Sequence, residues 1–374
     1  MPAASVDPLR NATIDIDSST VVGRLQASDG LDLRRTWRRR AYRTAPVAGH
    51  AWRSGATALA FLITLSGAAS AADAGSPADS VVLLNRIQLA AQRQNYVGTF
   101  VHQQGNQVQS SRVTHLVDRG GEHEKLELMD GQAREFIRHN DDVRCYVPDS
   151  KVVLSEKRAR YDSFPALLTS APADLDQYYR LSVEGTDRVA GRPAQVAELA
   201  ARDGRRYGYR LWFDQESYLL LKAQTVNDQG VTVEQVSFTD VTIGGAIDPS
   251  RLKPKAQNTD SWRQVAARVV PVDLAQAGWS VAQPVPGFHK VMEVRRAFGG
   301  REDIGQMVYS DGLAVISIFI EPAARHDAEE GEASKGPINV VSERHGDYWL
   351  TIVGDAPVVS VRDMARQIAF KPLP

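Results

Sequence analysis

One cysteine, Cys145, occurs in 374 residues, so no intramolecular disulfide staples the chain and its stability has to come from a core. Cys145 lies in the strand-like run Val143–Val147 without a histidine motif that would make it a nucleophile, and it reads as a small buried hydrophobe. Catalytic signatures are missing too: there is no HExxH, GxSxG, P-loop, CxxC or strand-linked GxGxxG. The acid pairs Asp141-Asp142 and Glu329-Glu330 fall in turn or loop sequence, where solvation accounts for them. His115, His123 and His139 belong to neighbouring strand-like runs but lack ligand spacing, and read as solvent-facing positions. No catalytic residue, metal or cofactor is expected, and an exported β-rich protein without them reads as a binder.

Acidic residues are absent between Leu33 and Ala72, while Arg34, Arg35, Arg38, Arg39, Arg40, Arg43 and Arg53 crowd the same stretch. An apolar run, Ala56–Ala68, follows, and then Ala69-Ser70-Ala71, an A-x-A cleavage pattern. The run is too short for a bilayer-spanning helix, so residues 1–72 read as a leader ending in a cleaved secretory signal peptide, with its h-region at 56–68. Nine of the 44 basic and five of the 45 acidic residues lie before Asp73. The remainder is therefore mildly acidic, about −5, which argues against nucleic acid as a partner.

What is present is alternation. Ser76-Pro77-Ala78-Asp79 opens a helix with Leu83, Leu84, Ile87, Ala90 and Ala91 on one face. From Tyr96 the period changes to two: Tyr96–Gln103, Val108–Val117, His123–Met129, Arg134–His139, Val143–Val147 and Lys151–Leu154 are strand-like, with turn residues between them. Phe164–Leu168 and Asp174–Tyr179 read as short helices, and strands resume at Leu181–Glu184 and Pro193–Ala201. Arg206–Gly245 gives three more antiparallel strands, of which Tyr218–Lys222 is apolar on both faces and so needs cover on both. The reading is α+β and β-rich: a curved antiparallel sheet of about ten strands whose concave side is partly plugged by helices.

Ala246–Asp260 carries two prolines and reads as a linker. A smaller unit, 261–374, follows. Its strand candidates are Val281–Gln283, Phe288–Phe298, Ile304–Ser310, Ala314–Glu321, Asn339–His345 and Tyr348–Val353, with Asp311-Gly312 as a hairpin turn. Arg325–Lys335 reads as a charged mobile loop, and Ser360-Val-Arg-Asp363 as a capping box opening a final helix.

Several of these runs together resemble one family. Asn95-Tyr-Val-Gly-Thr-Phe-Val101, Glu122-His-Glu-Lys-Leu-Glu127, Arg134-Glu135, Tyr209-Arg-Leu-Trp-Phe-Asp214, Val233-Glu-Gln235 with Phe238-Thr239, and Gln306–Ala314 with Ser317–Glu321 are similar to motifs of the MucB/RseB family over about residues 75–372. The resemblance implies that 73–245 has the fold of the lipoprotein carriers LolA and LolB, an unclosed β-barrel with helices in its mouth, and that 261–374 is an α+β unit. It further implies a periplasmic negative regulator of an envelope-stress sigma factor. Such a regulator binds the periplasmic part of a transmembrane anti-sigma factor, shields it from proteolysis and is released by a lipid or lipopolysaccharide fragment. A lipid or lipoprotein carrier is the alternative that the carrier fold leaves open, and monomer and homodimer both remain open.

An apolar concavity able to take an acyl chain has Phe100, Leu126, Leu128, Phe136, Tyr146, Phe164, Leu167, Leu168 and Trp212 as candidate lining residues. Tyr309, Phe319, Tyr348 and Trp349 are the partner-binding candidates in the second unit. For each of them, ordinary core packing is the competing explanation.

Overall fold

The computed structural model describes residues 12–16, 25–29, 77–157, 164–168, 175–298, 301–325 and 329–371. The expected signal-peptide h-region at 56–68 and its cleavage pattern lie outside the described residues. Of the leader, only the two short strands Ala12–Ile16 and Leu25–Asp29, which pair with each other, are described.

Alternation from Tyr96 onward builds one sheet of twelve strands. Six of them run as a meander outward from Thr232–Ile243, Tyr96–Gln104, Gln107–Asp118, Gly121–Leu128, Glu135–His139, Asp142–Val147 and Val152–Lys157, and Arg263–Ala266 adds to the edge of the last. On the other side of Thr232–Ile243 lie Leu220–Val226, Gly208–Asp214, Arg192–Ala201 and the edge strand Tyr179–Val189. Every pairing is antiparallel except that of Arg263–Ala266 with Val152–Ser155. The sheet does not close on itself, since its two edge strands have one partner each.

The helix Pro77–Arg93 starts on its proline, as the sequence implies, and buries Leu84, Ile87, Ala90 and Ala91 on one face of this sheet, here termed the inner face. Phe164–Leu168, expected to be a short helix, is instead a turn followed by irregular chain lying over the inner face. Cys145 is buried, as expected.

The Asn95–Val101 motif has a packing cause. A Cβ on Gly98 would come within 2.6 Å of Phe238 Cε1 and 2.7 Å of the Asp240 carbonyl, so Phe238 can lie across the strand only at a glycine. Gly98→Ala is expected to lower stability by about 1–3 kcal/mol, checked by urea unfolding; an unchanged midpoint would contradict this packing.

The stretch read as a linker is fixed on the outer face. Lys125 Nζ donates to the Lys253 carbonyl at 2.8 Å, Lys255 N–H donates to Glu135 Oε2 at 2.9 Å, and Lys255 Nζ lies 2.9 Å from Glu127 Oε1. The chain then adds Arg263–Ala266 to the large sheet, so the opening residues of the stretch expected as the second unit belong to the first sheet.

The second unit has a seven-stranded antiparallel sheet in the order Val269–Pro271, His289–Phe298, Arg301–Ser310, Val315–Pro322, Tyr348–Gly354, Ile338–His345, Gly331–Lys335. Its last helix, Val358–Arg366, has Pro357 at the N-cap position, without a side-chain cap hydrogen bond. Ser360, expected as a cap, lies inside the helix and donates from Oγ to the Arg205 carbonyl of the first unit at 2.6 Å. Of the expected mobile loop, Gly331–Lys335 is an exposed edge strand whose charged side chains suit an edge. Among the described residues no helix is long and apolar enough to cross a membrane.

Candidate functional site

Pairing register decides which side chains share the inner face. Phe100 pairs with Phe238 and Ser111, Ser111 with Leu128, Val113 with Leu126, and Leu126 with Phe136, so Phe100, Leu126, Leu128 and Phe136 project to one side. Phe164 closes over them, its ring 5.2 Å from that of Phe100 and 4.8 Å from that of Phe238. Leu167 and Leu168 pack with Leu84, Ile87 and Leu211 in the adjoining cluster.

One side chain holds this cover in place. Gln88, on the first helix, accepts at Oε1 from the backbone N–H groups of both Leu167 and Leu168, each at 3.0 Å. Gln88→Leu keeps the volume and strands two part-buried donors, so the cover should loosen at a cost of about 1–3 kcal/mol. Hydrogen exchange at Leu167 and Leu168 would accelerate selectively. Unchanged protection there would contradict the assignment.

Tyr146 is a correction. It is one residue from Cys145, which pairs with Phe136, so the two-residue period turns it to the outer face. Trp212, beside a register shift, is buried in the cluster that holds Phe100, Leu126 and Phe238; it donates from Nε1 to Asp187 Oδ2 at 2.8 Å and lies under Lys222 Nζ, 4.2 Å from the ring centroid. An aromatic residue in an alternating strand announces burial, but not the face.

The partner-binding candidates are corrected more strongly. Tyr309, Phe319 and Trp349 are 5%, 9% and 5% exposed, so they are core residues and not a presented surface. The cause is the central strand Val315–Pro322, buried at seven consecutive positions because its sheet is covered on both faces. Only Tyr348 is half-buried, packed edge-on against Trp279 at 5.0 Å.

Of the three histidines expected to face solvent, His139 is exposed, His123 is half-buried and His115 is not at the surface. His115 is fully buried, stacked on Tyr96 at 4.6 Å, with its ring nitrogens 2.7 Å from the Gln94 carbonyl and 2.9 Å from Glu122 Oε1. Burial pushes the Glu122 carboxyl up, but hydrogen bonds from His115 and Arg138 outweigh it and bring the pKa down to about 2. His123 and His139 stack on each other at 4.4 Å. Among the described residues there is no group of three or more His, Cys, Asp or Glu that could hold a metal ion.

The two units meet at a polar seam. Three consecutive residues reach across it: Arg205 pairs with Asp363, Arg206 Nε donates to Asp311 Oδ2 at 2.8 Å, and Tyr207 OH accepts from Asn339 Nδ2 at 3.0 Å. Arg206 also donates to Asp203 Oδ2 at 2.6 Å and to the Pro286 carbonyl, and it stacks 4.1 Å from the Tyr178 ring centroid. Gly287, at φ +83°, is required here because a Cβ would strike Tyr178 and Arg206. In the sequence Asp311 reads only as a turn residue, since the arginine that it meets is over a hundred positions away.

Comparison with known proteins gives this architecture its relatives. Residues 79–256 match the model of the MucB/RseB N-terminal domain and residues 273–369 that of the MucB/RseB C-terminal domain. The chain belongs to the MucB/RseB family. Among its relatives is the sigma factor AlgU regulatory protein MucB of Pseudomonas aeruginosa, 30% identical over 315 residues, or 82% of this chain and 96% of that one. The sigma-E factor regulatory protein RseB of Escherichia coli is 28% identical over 311 residues, 83% and 96% of the two chains. A crystal structure of MucB in complex with MucA(peri) is similar, with TM-score 0.60 and 27% identity, covering 78% of this chain and 99% of that one. A complex structure of Pseudomonas aeruginosa MucA/MucB gives TM-score 0.62, covering 79% and 100%. The MucB/RseB relatives carry regulatory names, and the boundary between the two family models falls where the outer-face strap and the strand Arg263–Ala266 join the two units.

Proposed function

We propose that this protein is a periplasmic regulator that binds the periplasmic part of a transmembrane anti-sigma factor and shields it from regulated proteolysis, so that an envelope-stress sigma factor stays sequestered. The observation that carries this reading is the match to both family domains, in order, together with the likeness across both units to a MucB bound to MucA(peri). Release on lipid is the finer part of the proposal. It is supported by the apolar inner face, where Phe100, Leu126, Leu128 and Phe136 share one side of the sheet and the short segment with Phe164, Leu167 and Leu168 lies over it.

Energetics set its terms. A micromolar partner is held by about 8 kcal/mol, and each methylene buried on the inner face contributes about 0.8 kcal/mol. About ten methylenes therefore match the partner, provided that the lipid favours a conformation which the partner does not. The test is protease protection. Purified 73–374 should slow cleavage of the cognate anti-sigma periplasmic region by its site-one protease, and lipopolysaccharide fragments should restore it. Cleavage at the same rate with and without the protein would overturn the regulator reading, and protection that no lipid relieves would overturn the release step.

A further inference from the structure

The hairpin turn Ser310–Ala314 belongs to the second unit, yet its Leu313 is buried in the first. Leu313 is 5% exposed and is part of the same inner-face cluster as Leu84, Ile87, Leu175, Tyr179, Leu199 and Tyr209. One carboxylate builds and anchors this intrusion. Asp311 Oδ1 accepts from the N–H groups of Leu313 at 3.0 Å and Ala314 at 2.8 Å, which folds the turn that presents Leu313. Asp311 Oδ2 accepts from Arg206 Nε at 2.8 Å and from Tyr179 OH at 3.0 Å, which seats that turn on the first unit. Tyr179 carries its ring into the cluster and its hydroxyl into the seam, so the apolar contact and the ion pair form or fail together.

We propose that Leu313 is an internal plug of the acyl-binding face, and that a lipid acyl chain occupying this face displaces the Ser310–Ala314 turn and thereby unlocks the second unit from the first. The inference rests on the lipid half of the function proposed above and supplies its missing link. Occupancy of a greasy surface inside one unit becomes a change in how the other unit is held. Coupling of this kind is reciprocal: whatever loosens the turn must also tighten lipid binding, because the lipid no longer has to displace Leu313.

The experiment measures both sides of that linkage on 73–374, using dansyl-undecanoic acid as the acyl probe and small-angle scattering for the separation of the units. Leu313→Ala should bind the probe about tenfold more tightly than the unsubstituted protein. Asp311→Asn should bind it several-fold more tightly although it leaves the leucine in place. Both variants should have a larger radius of gyration without probe, and saturating the unsubstituted protein with probe should shift its radius toward theirs. Circular dichroism checks folding; if Leu313→Ala does not fold, Asp311→Asn carries the same comparison. Probe binding by the unsubstituted protein with equal affinity and equal radius in both variants overturns the plug and leaves the lipid reading standing. Weaker binding by Leu313→Ala also overturns it, since Leu313 would then line the site and not obstruct it. No probe binding by any of the three proteins overturns the lipid reading and the plug together.

Discussion

Arg206→Met is expected to lower the unfolding free energy by about 3–5 kcal/mol, because it removes one partner of a buried ion pair and leaves the other without its charge. The side chains of Arg206 and Asp311 are both 0% exposed. The guanidinium also lies over the Tyr178 and Phe288 rings, so the loss reports the charge, its hydrogen bonds and that stacking together. Asp311 keeps three neutral donors, the Tyr179 hydroxyl and the N–H groups of Leu313 and Ala314, and these do not replace a guanidinium. Adding Asp311→Asn to Arg206→Met should recover part of the loss, since the orphaned carboxylate is then neutral. Urea denaturation of the two variants and the unsubstituted protein makes the comparison. A single-variant loss below about 1 kcal/mol would place the pair in the range of exposed salt bridges and contradict the buried seam.

Lys125→Met should cost a similar amount, on the opposite side of the sheet. Lys125 is 3% exposed and lies 3.3 Å from Glu127 Oε1 and 3.5 Å from Glu135 Oε2, while it donates to the Lys253 carbonyl. Methionine there leaves two nearly buried carboxylates sharing Lys255 and frees the strap that runs to Arg263–Ala266. The expected loss at neutral pH is about 3–5 kcal/mol. It depends on pH with a definite sign. Burial raises the Glu127 pKa, but the Lys255 hydrogen bond and the Lys125 charge outweigh it, so the folded value lies below the ordinary one. The stabilisation is therefore present above the unfolded carboxylate pKa, about 4.3, and is lost as pH falls through the folded value. The melting-temperature gap between the two proteins should be wide at pH 7 and narrow at pH 3. A gap that does not change with pH would mean that packing, and not charge, holds the strap.

Much of the larger sheet is legible from residue order because its signal is local. Tyr96–Gln104 alternates, Asp118–Gly121 turns, and the helix at Pro77–Arg93 carries its proline start and apolar stripe in plain sequence. Features set by distant partners are not legible. Tyr146 looks like a lining residue until register assigns it to the outer face, and Tyr309, Phe319 and Trp349 look presentable until a second layer covers them. Ala246–Asp260 has the composition of a loose linker, but Lys253 and Lys255 find their partners more than a hundred positions earlier. Asp311-Gly312 reads correctly as a hairpin turn, and nothing near it in the chain signals that the next residue is buried in another unit. Local pattern specified the elements; the seam needed the fold.

Whether this protein is a receptor for the periplasmic part of an anti-sigma factor is decided by calorimetric titration of 73–374 with the cognate region. Saturable binding is expected at a dissociation constant of about 1 µM or tighter, weakened at least tenfold when a lipopolysaccharide fragment is present. No measurable heat or competition up to about 100 µM peptide would contradict it, because a partner held by less than about 5.5 kcal/mol could not be kept from its protease.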